Sequence, residues 1–180
     1  MAHLKVPKDR IGAIIGPKGE TKKLIEEKSS SELDIDSENG TVEIIEGDDP
    51  LGSLKAGEVV KAISRGFNPE KALALFDDDM LMLDVIDLSH EASTPKELIR
   101  LKGRIIGKGG KTREIAESLI GVKISIYGKT VSVLGTPDQN RIIHTAIEML
   151  VEGANHGTVY SFLEKKHREL LQSQLDYYES

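Results

Sequence analysis

The chain has 180 residues, no cysteine and no tryptophan, and it sets 24 basic against 30 acidic residues for a formal net charge of −6. That length suits one or two domains, and the missing cysteine excludes a disulfide scaffold, thiolate zinc and a thiol nucleophile while agreeing with a reducing compartment. No apolar run approaches the roughly 20 residues that span a bilayer, and Met1-Ala-His-Leu-Lys5 lacks a signal-peptide apolar region, so a soluble cytoplasmic chain with no membrane contact is expected.

His3 to Val6 reads as a short strand stopped by Pro7. Lys8 to Ile15 has helical spacing, with Ile11, Ile14 and Ile15 on one side. Gly16-Pro17-Lys18-Gly19 breaks it, and Glu20 to Lys28 resumes as a helix with Leu24 and Ile25 inward. Leu33 to Asp36 and Thr41 to Glu46 are strands joined by a turn at Asn39-Gly40. Leu51 to Arg65 is a helix. Asn68-Pro69 starts a short further helix to Phe76, and Asp77-Asp78-Asp79 is the expected joint.

Met80 to Leu88 opens a second series as a strand. Thr94-Pro95-Lys96-Glu97 has the pattern of a capping box with Pro at the first helical position. Its helix runs through Leu98, Leu101 and Ile105 to a break at Gly107-Lys108-Gly109-Gly110. Lys111 to Leu119 is helical, with Ile115 and Leu119 inward and Gly121 as C-cap. Lys123 to Tyr127 and Thr130 to Leu134 form a hairpin, and Thr136-Pro137 starts a helix to about Glu152. Thr158 to about Asp176 is a last amphipathic helix, whose Phe162–Leu175 stripe is expected to pack on the second series.

Both series have the order β-α-α-β-β-α, and they are copies. Gly12/Gly103, Ile14/Ile105, Ile15/Ile106, Gly16/Gly107, Gly19/Gly110 and Thr21/Thr112 are identical pairs at a constant offset of 91 residues. Two domains are therefore expected, residues 1–78 and 79–180. The charge is uneven as well. Lys96 to Lys129 holds nine basic and three acidic residues, whereas Glu32 to Glu58 holds nine acidic and one basic. Local field governs docking of a polyanion, so an acidic total does not veto RNA.

The glycine loops explain where a polyanion would sit. Two helices meeting across four residues need backbone angles that glycine supplies. The second helix starts at once, so its N–H groups and positive dipole end face whatever lies on the loop. Lys108 lies in the second loop, Lys111 and Arg113 open the helix beyond it, and Lys102 and Arg104 add charge on the near side. Lys18 and Lys22 do comparable work in the first copy beside Gly16, Pro17 and Gly19, although Glu20 and Pro17 make that loop less basic. Ile105, Ile106 and Ile126 are expected to wall an apolar groove for unstacked bases.

Ile105-Ile-Gly-Lys-Gly-Gly-Lys-Thr112, in β-α-α-β-β-α order, resembles a type I KH domain, and the resemblance covers both copies. It implies an α+β fold of two tandem KH domains, each a three-stranded antiparallel sheet with helices on one face, plus an extra C-terminal helix. It also implies that the loop clamps about four nucleotides of single-stranded RNA. Arg104 to Arg113, followed by Tyr127-Gly-Lys-Thr-Val-Ser-Val-Leu-Gly135, is similar to the KH proteins of small-subunit ribosome biogenesis, the partner-of-Nob-one or Dim-two type. Generic KH domains place Ile where Arg113 stands, and Ile115 is expected to take over in the core. The intact first loop suggests an archaeal-type member. The resemblance implies binding near the 3′ end of small-subunit RNA or its precursor, cooperation with a PIN-domain nuclease and other assembly factors, no cofactor, and no catalysis by this chain. A general single-stranded RNA binder of translation or RNA decay is the other reading.

Other features carry less. Gly110-Lys111-Thr112 imitates the end of a Walker loop, but Ile105 stands where that loop needs glycine, and a helix rather than a strand precedes it. His3, His90, His144, His156 and His167 show no ligand or triad spacing, and no metal site is expected. The seven aromatic residues are too few for a sheet that stacks bases and suit an aliphatic groove.

Overall fold

The computed structural model describes residues 2–180. The first series is β1 (Ala2–Lys5), α1 (Lys8–Ile15), α2 (Glu20–Ser29), β2 (Glu32–Asp36), β3 (Thr41–Ile45), α3 (Pro50–Ser64) and a short α4 (Pro69–Leu73). The second is β4 (Met82–Asp87), α5 (Pro95–Ile106), α6 (Lys111–Ile120), β5 (Lys123–Tyr127), β6 (Thr130–Gly135), α7 (Pro137–Val151) and α8 (His156–Glu179). By contacts the chain divides between Leu83 and Asp84 into two compact units. The first carries 11 basic and 17 acidic residues and the second 13 of each, so the whole net charge of −6 belongs to the first unit.

Each unit has one three-stranded antiparallel sheet with the last strand in the middle, in the orders β1-β3-β2 and β4-β6-β5. The registers are unbroken: Leu33 faces Ile44 and Ile35 faces Val42 in the first sheet, and Ile124 faces Val133 and Ile126 faces Val131 in the second. Strand alternation sends these residues to the helix side. In the second unit Val131, Val133 and Ile124 meet Leu88, Ile105, Ala116, Ile120, Ile143, Ile147 and Leu150 in one core. In the first, Leu33, Val42 and Ile44 are buried, as are Ile11, Ile14, Ile25, Val59 and Ile63 of the helices. Leu24, expected inward, is 37% exposed, because its neighbour Ile25 takes the single inward position of that turn.

Helix ends in the second unit follow local chemistry. The Thr94 hydroxyl accepts from Glu97 N at 3.1 Å, but the Glu97 carboxylate reaches one residue further back than a capping box requires, accepting from Ser93 N at 2.9 Å and Ser93 Oγ at 3.0 Å. Those two donors hold its carboxyl below the usual carboxylate range. The full capping box lies at Thr136 and Gln139, at the start of α7. Asn155 caps α8 by accepting from Thr158 N at 2.8 Å. Asp77 and Asp79 pair with Lys28 and Lys55 inside the first unit.

α8 buries Val159 and Leu163 completely and packs Phe162 and Leu170 partly against the second core. The stripe expected to continue on that core through Leu175 ends at Leu170: Leu171 and Leu175 are about half exposed, and Tyr177 and Tyr178 more so. The reason is length. At about 1.5 Å per residue, the 24-residue α8 outruns the 10-residue α6 and 15-residue α7 that support it.

Candidate nucleic-acid interface

The two glycine loops have one geometry. Gly16 and Gly107 end α1 and α5 at φ 73° and ψ 173° and at φ 78° and ψ 168°. That region is open essentially to glycine alone. Gly16 N donates to Gly12 O and Gly107 N to Gly103 O, both at 2.9 Å; Gly19 N donates to Gly16 O and Gly110 N to Gly107 O, both at 3.1 Å. Both loops then wind through one tight turn, and their last residues, Gly19 and Gly110, start α2 and α6 in the left-handed region.

The glycines do different jobs. A Cβ on Gly107 would lie 2.2 Å from Thr112 Oγ1 and 2.7 Å from Thr112 N, and one on Gly16 would meet Thr21 in the same way. Thr21 and Thr112 thus sit directly over the first glycine of each loop. A Cβ on Gly19, Gly109 or Gly110 would meet nothing within 4 Å. The outer side of the loop is open, and its backbone is bare to an approaching ligand.

Charge distinguishes the copies. α6 begins with Lys111, and Lys108 and Arg113 are exposed beside it. α2 begins with Glu20, whose carboxylate competes for the dipole end that an anion would use. In the second unit α5, α7 and α8 all have side-chain N-caps, whereas the start of α6 has none. The first N–H groups of a helix lack intrahelical partners, so this is the one long helix of the unit whose start is left for a ligand. The first loop also carries strain: Lys18, the counterpart of Gly109, is held at φ 55° and ψ 25°, where a side chain costs about 1–2 kcal/mol.

The structure brings Gly107, Lys108, Gly109, Gly110, Lys111 and Arg113 together at this open end. The Arg113 Nε lies 3.6 Å from Glu117 Oε1, one turn on along α6. Lys102 and Ile106 are half-buried on α5, and Ile126 is half-buried against the core edge. In the first unit Pro17 and Lys18 are exposed, and Gly16, Gly19 and Lys22 half-buried.

Two assignments from the sequence need correction. Ile105 is 4% exposed and belongs to the core of the second unit, so it walls no surface groove; only Ile106, next along the helix, faces partly outward. Arg104 does not extend toward the loop. Its Nε donates to Leu150 O at 3.0 Å and its Nη2 to Ala154 O, closing the carbonyl end of α7. The last carbonyls of a helix need outside donors, and a cation there complements the dipole. Arg10 does the same for α3, donating to Ile63 O at 2.8 Å and Phe67 O at 2.9 Å. The two arginines are 94 rather than 91 residues apart, about one helical turn from equivalence, so the repeat alignment hides their shared task. Arg104→Met is expected to cost about 2–3 kcal/mol of stability in urea unfolding, while the RNA affinity of the folded variant changes less than about threefold.

Ile115, expected as a core residue, packs only partly; Thr112, Ala116 and Ile120 carry the buried side of α6. Sequence reasoning also passed over Thr21 and Thr112 as functional residues, although their identity at the repeat offset was the available signal. Tyr160, whose hydroxyl lies 2.9 Å from Thr112 Oγ1, had no signal because α8 has no counterpart in the repeat. Among the described residues no three His, Cys, Asp or Glu converge to hold a metal ion, and no helix is long and apolar enough to cross a membrane.

Comparison with known proteins agrees with this geometry. Residues 2–64 match the KH domain family, and residues 82–168 match the eukaryotic type KH-domain family (KH-domain type I). The chain is 46% identical over 176 residues to the KH domain-containing protein MJ0443 of Methanocaldococcus jannaschii, covering 96% of this chain and 77% of that one. It superposes on the crystal structure of Dim2p from Pyrococcus horikoshii OT3 with a TM-score of 0.84 and 46% identity, over 91% of this chain and 98% of that one.

The chain belongs to the PNO1/Dim2 family of two-KH-domain proteins.

A second Pyrococcus horikoshii structure, an a/eIF2alpha–aDim2p–rRNA complex, contains a chain that matches with a TM-score of 0.87 and 44% identity, over 93% of this chain and 94% of that one. The pre-rRNA-processing protein PNO1 of Chaetomium thermophilum is 34% identical over 108 residues, 59% of this chain and 42% of that protein. This PNO1/Dim2 chain thus spans about half the length of its eukaryotic relatives or less, and most of the archaeal one.

Proposed function

We propose that this chain binds single-stranded RNA of the small ribosomal subunit or its precursor, near the 3′ end, and assists pre-rRNA processing and subunit assembly by binding rather than by cutting. The observation that carries the reading is the open end of α6. An uncapped helix start, two glycines with free space over them and three exposed cations suit a phosphodiester backbone. The choice of ribosomal RNA is supported by the archaeal Dim2p complex that contains rRNA and by the eukaryotic relatives named for pre-rRNA processing. The partners that follow are a PIN-domain nuclease, other assembly factors and, from the same complex, the alpha subunit of an initiation factor. The site of action is the cytoplasm. That initiation-factor subunit also favours a second reading, in which the chain acts on RNA during translation.

The test is equilibrium binding to fluorescent single strands tiled along small-subunit RNA. Affinity should peak in the 3′-terminal fragments and fall several-fold or more between 50 and 200 mM salt, with a linear dependence of log K on log salt. The RNA should be recovered uncut. Binding indifferent to salt would sink the phosphate reading, equal affinity for all fragments would favour the translational reading, and specific cleavage would refute a pure binder.

A further inference from the structure

The first turn of α8 touches both helices that flank the second glycine loop. His156 Nε2 lies 3.0 Å from Arg104 O, one of the last carbonyls of α5, three residues before the loop begins. Tyr160 OH lies 2.9 Å from Thr112 Oγ1, two residues after the loop ends. His156 and Tyr160 are four apart and so lie on one face of α8, with ring centroids 6.1 Å apart. The helix start that presents them is held by the Asn155 cap. Val159, between them, is fully buried and anchors the turn to the core.

Thr112 is the pivotal contact. It is 3% exposed, and its hydroxyl oxygen lies over Gly107, where even one added carbon would overlap it. The Tyr160 hydroxyl fixes the rotamer of Thr112, Thr112 leaves one place for the Gly107 backbone, and Gly107 sets the direction in which the loop leaves α5. Further along, His167 Nδ1 approaches Leu119 O at 2.7 Å and ties α8 to the far end of α6. In the first unit Thr21 sits over Gly16 in the same way, but it is half-buried and no side-chain hydrogen bond reaches its hydroxyl among the described residues.

We infer that the first turn of α8 is a brace for the phosphate-facing loop of the second KH domain, with Tyr160 acting through Thr112 as a positioning residue for RNA. This rests on the RNA-binding reading above. A loop held in one geometry before the ligand arrives loses less conformational freedom on binding. The brace therefore raises affinity without touching RNA. It also supplies a physical difference between the copies beyond charge: Thr112 at the second loop is held by a hydroxyl from outside the repeat, and among the described residues Thr21 at the first is not.

The experiment is a double-mutant cycle on the full chain with Tyr160→Phe, Thr112→Val and the pair. It has two readouts: amide hydrogen exchange across residues 106–113 without RNA, and affinity for a single-stranded RNA probe across a salt series. Tyr160→Phe is expected to speed exchange in the loop and lower affinity about three- to tenfold, with the slope of log K against log salt unchanged because no phosphate contact is lost. Thr112→Val should do the same, and the double variant should be no worse than the worse single one, since each removes the same hydrogen bond. Wild-type exchange rates in Tyr160→Phe would overturn the inference, as would additive losses in the double variant. An affinity loss with a shallower salt slope and an undisturbed loop would also overturn it, by making Tyr160 an RNA contact. If the wild-type chain bound no RNA, the RNA reading would fail, while the exchange data would still decide whether the brace exists.

Discussion

Gly109→Asp combined with Gly110→Asp should abolish RNA binding, with a loss of about 100-fold or more, or roughly 2.8 kcal/mol, and should leave the fold intact. A Cβ at either position meets no atom within 4 Å, so the new side chains start from open space and no packing is expected to be disturbed. Both residues are in the left-handed region, at φ 63° and 76°, which Asp tolerates better than most side chains. What changes is the surface that RNA meets. Two carboxylates would stand where the loop is bare, beside the start of α6, and would both repel phosphate and occupy the N–H groups left open there. The same replacement at Lys18 and Gly19 should cost less, because Glu20 already weakens that helix start for anions. RNA titration and urea unfolding on both double variants would check this. Equal binding losses would overturn the ranking of the two loops, and a lost unfolding transition would show that the glycines are structural.

Gly107→Ala should have the opposite character. It should destabilise the second unit by about 3 kcal/mol or more, enough to threaten a domain of ordinary stability. The new Cβ would lie 2.2 Å from Thr112 Oγ1 and 2.7 Å from both Thr112 Cβ and Thr112 N. The oxygen could rotate away, but the backbone nitrogen belongs to the first turn of α6 and cannot. The conformation at φ 78° and ψ 168° is strained for any side chain in addition. Adding Thr112→Ala should therefore recover only part of the loss. Chemical unfolding followed by circular dichroism reads this directly. A stability change under about 1 kcal/mol would mean that the loop relaxes far more than its packing suggests. Between them, the two experiments separate the first glycine of the motif, expected to serve the fold, from the last two, expected to serve the ligand.

The contrast between two of the arginines of the second unit, Arg104 and Arg113, shows how far residue type and spacing can be trusted. Arg113 and Arg104 flank the loop at similar distances along the chain. Arg113 is exposed on the first turn of α6, where its position follows from the helix period alone. Arg104 points to the end of α7, 46 to 50 residues away in sequence, and no local pattern announces that. Ile105 and Ile106 make the same point. The motif names both, but one is core and the other rim, because adjacent helix positions are rotated by about 100° and only packing against the core of the second unit says which of them turns inward.

The chain by itself determined the duplication, the order of elements and the place of both glycine loops. These depend on local physics: glycine spacing, Pro and Thr at helix starts, and two-residue alternation in the strands. It also determined that the positive charge gathers at the second loop, since Lys108, Lys111 and Arg113 are neighbours in sequence. Tertiary structure decided everything that joins distant segments. It assigned Arg104 to the α7 carbonyls, buried Ile105, and left Leu171 and Leu175 uncovered where α8 outruns its support. Above all it set the first turn of α8 against both sides of the loop, through His156 and Tyr160, residues some fifty positions from the carbonyl and hydroxyl they hold. Such contacts follow from how a helix without a counterpart in the repeat packs on a copied unit, and a repeat pattern carries no information about an element that it does not contain.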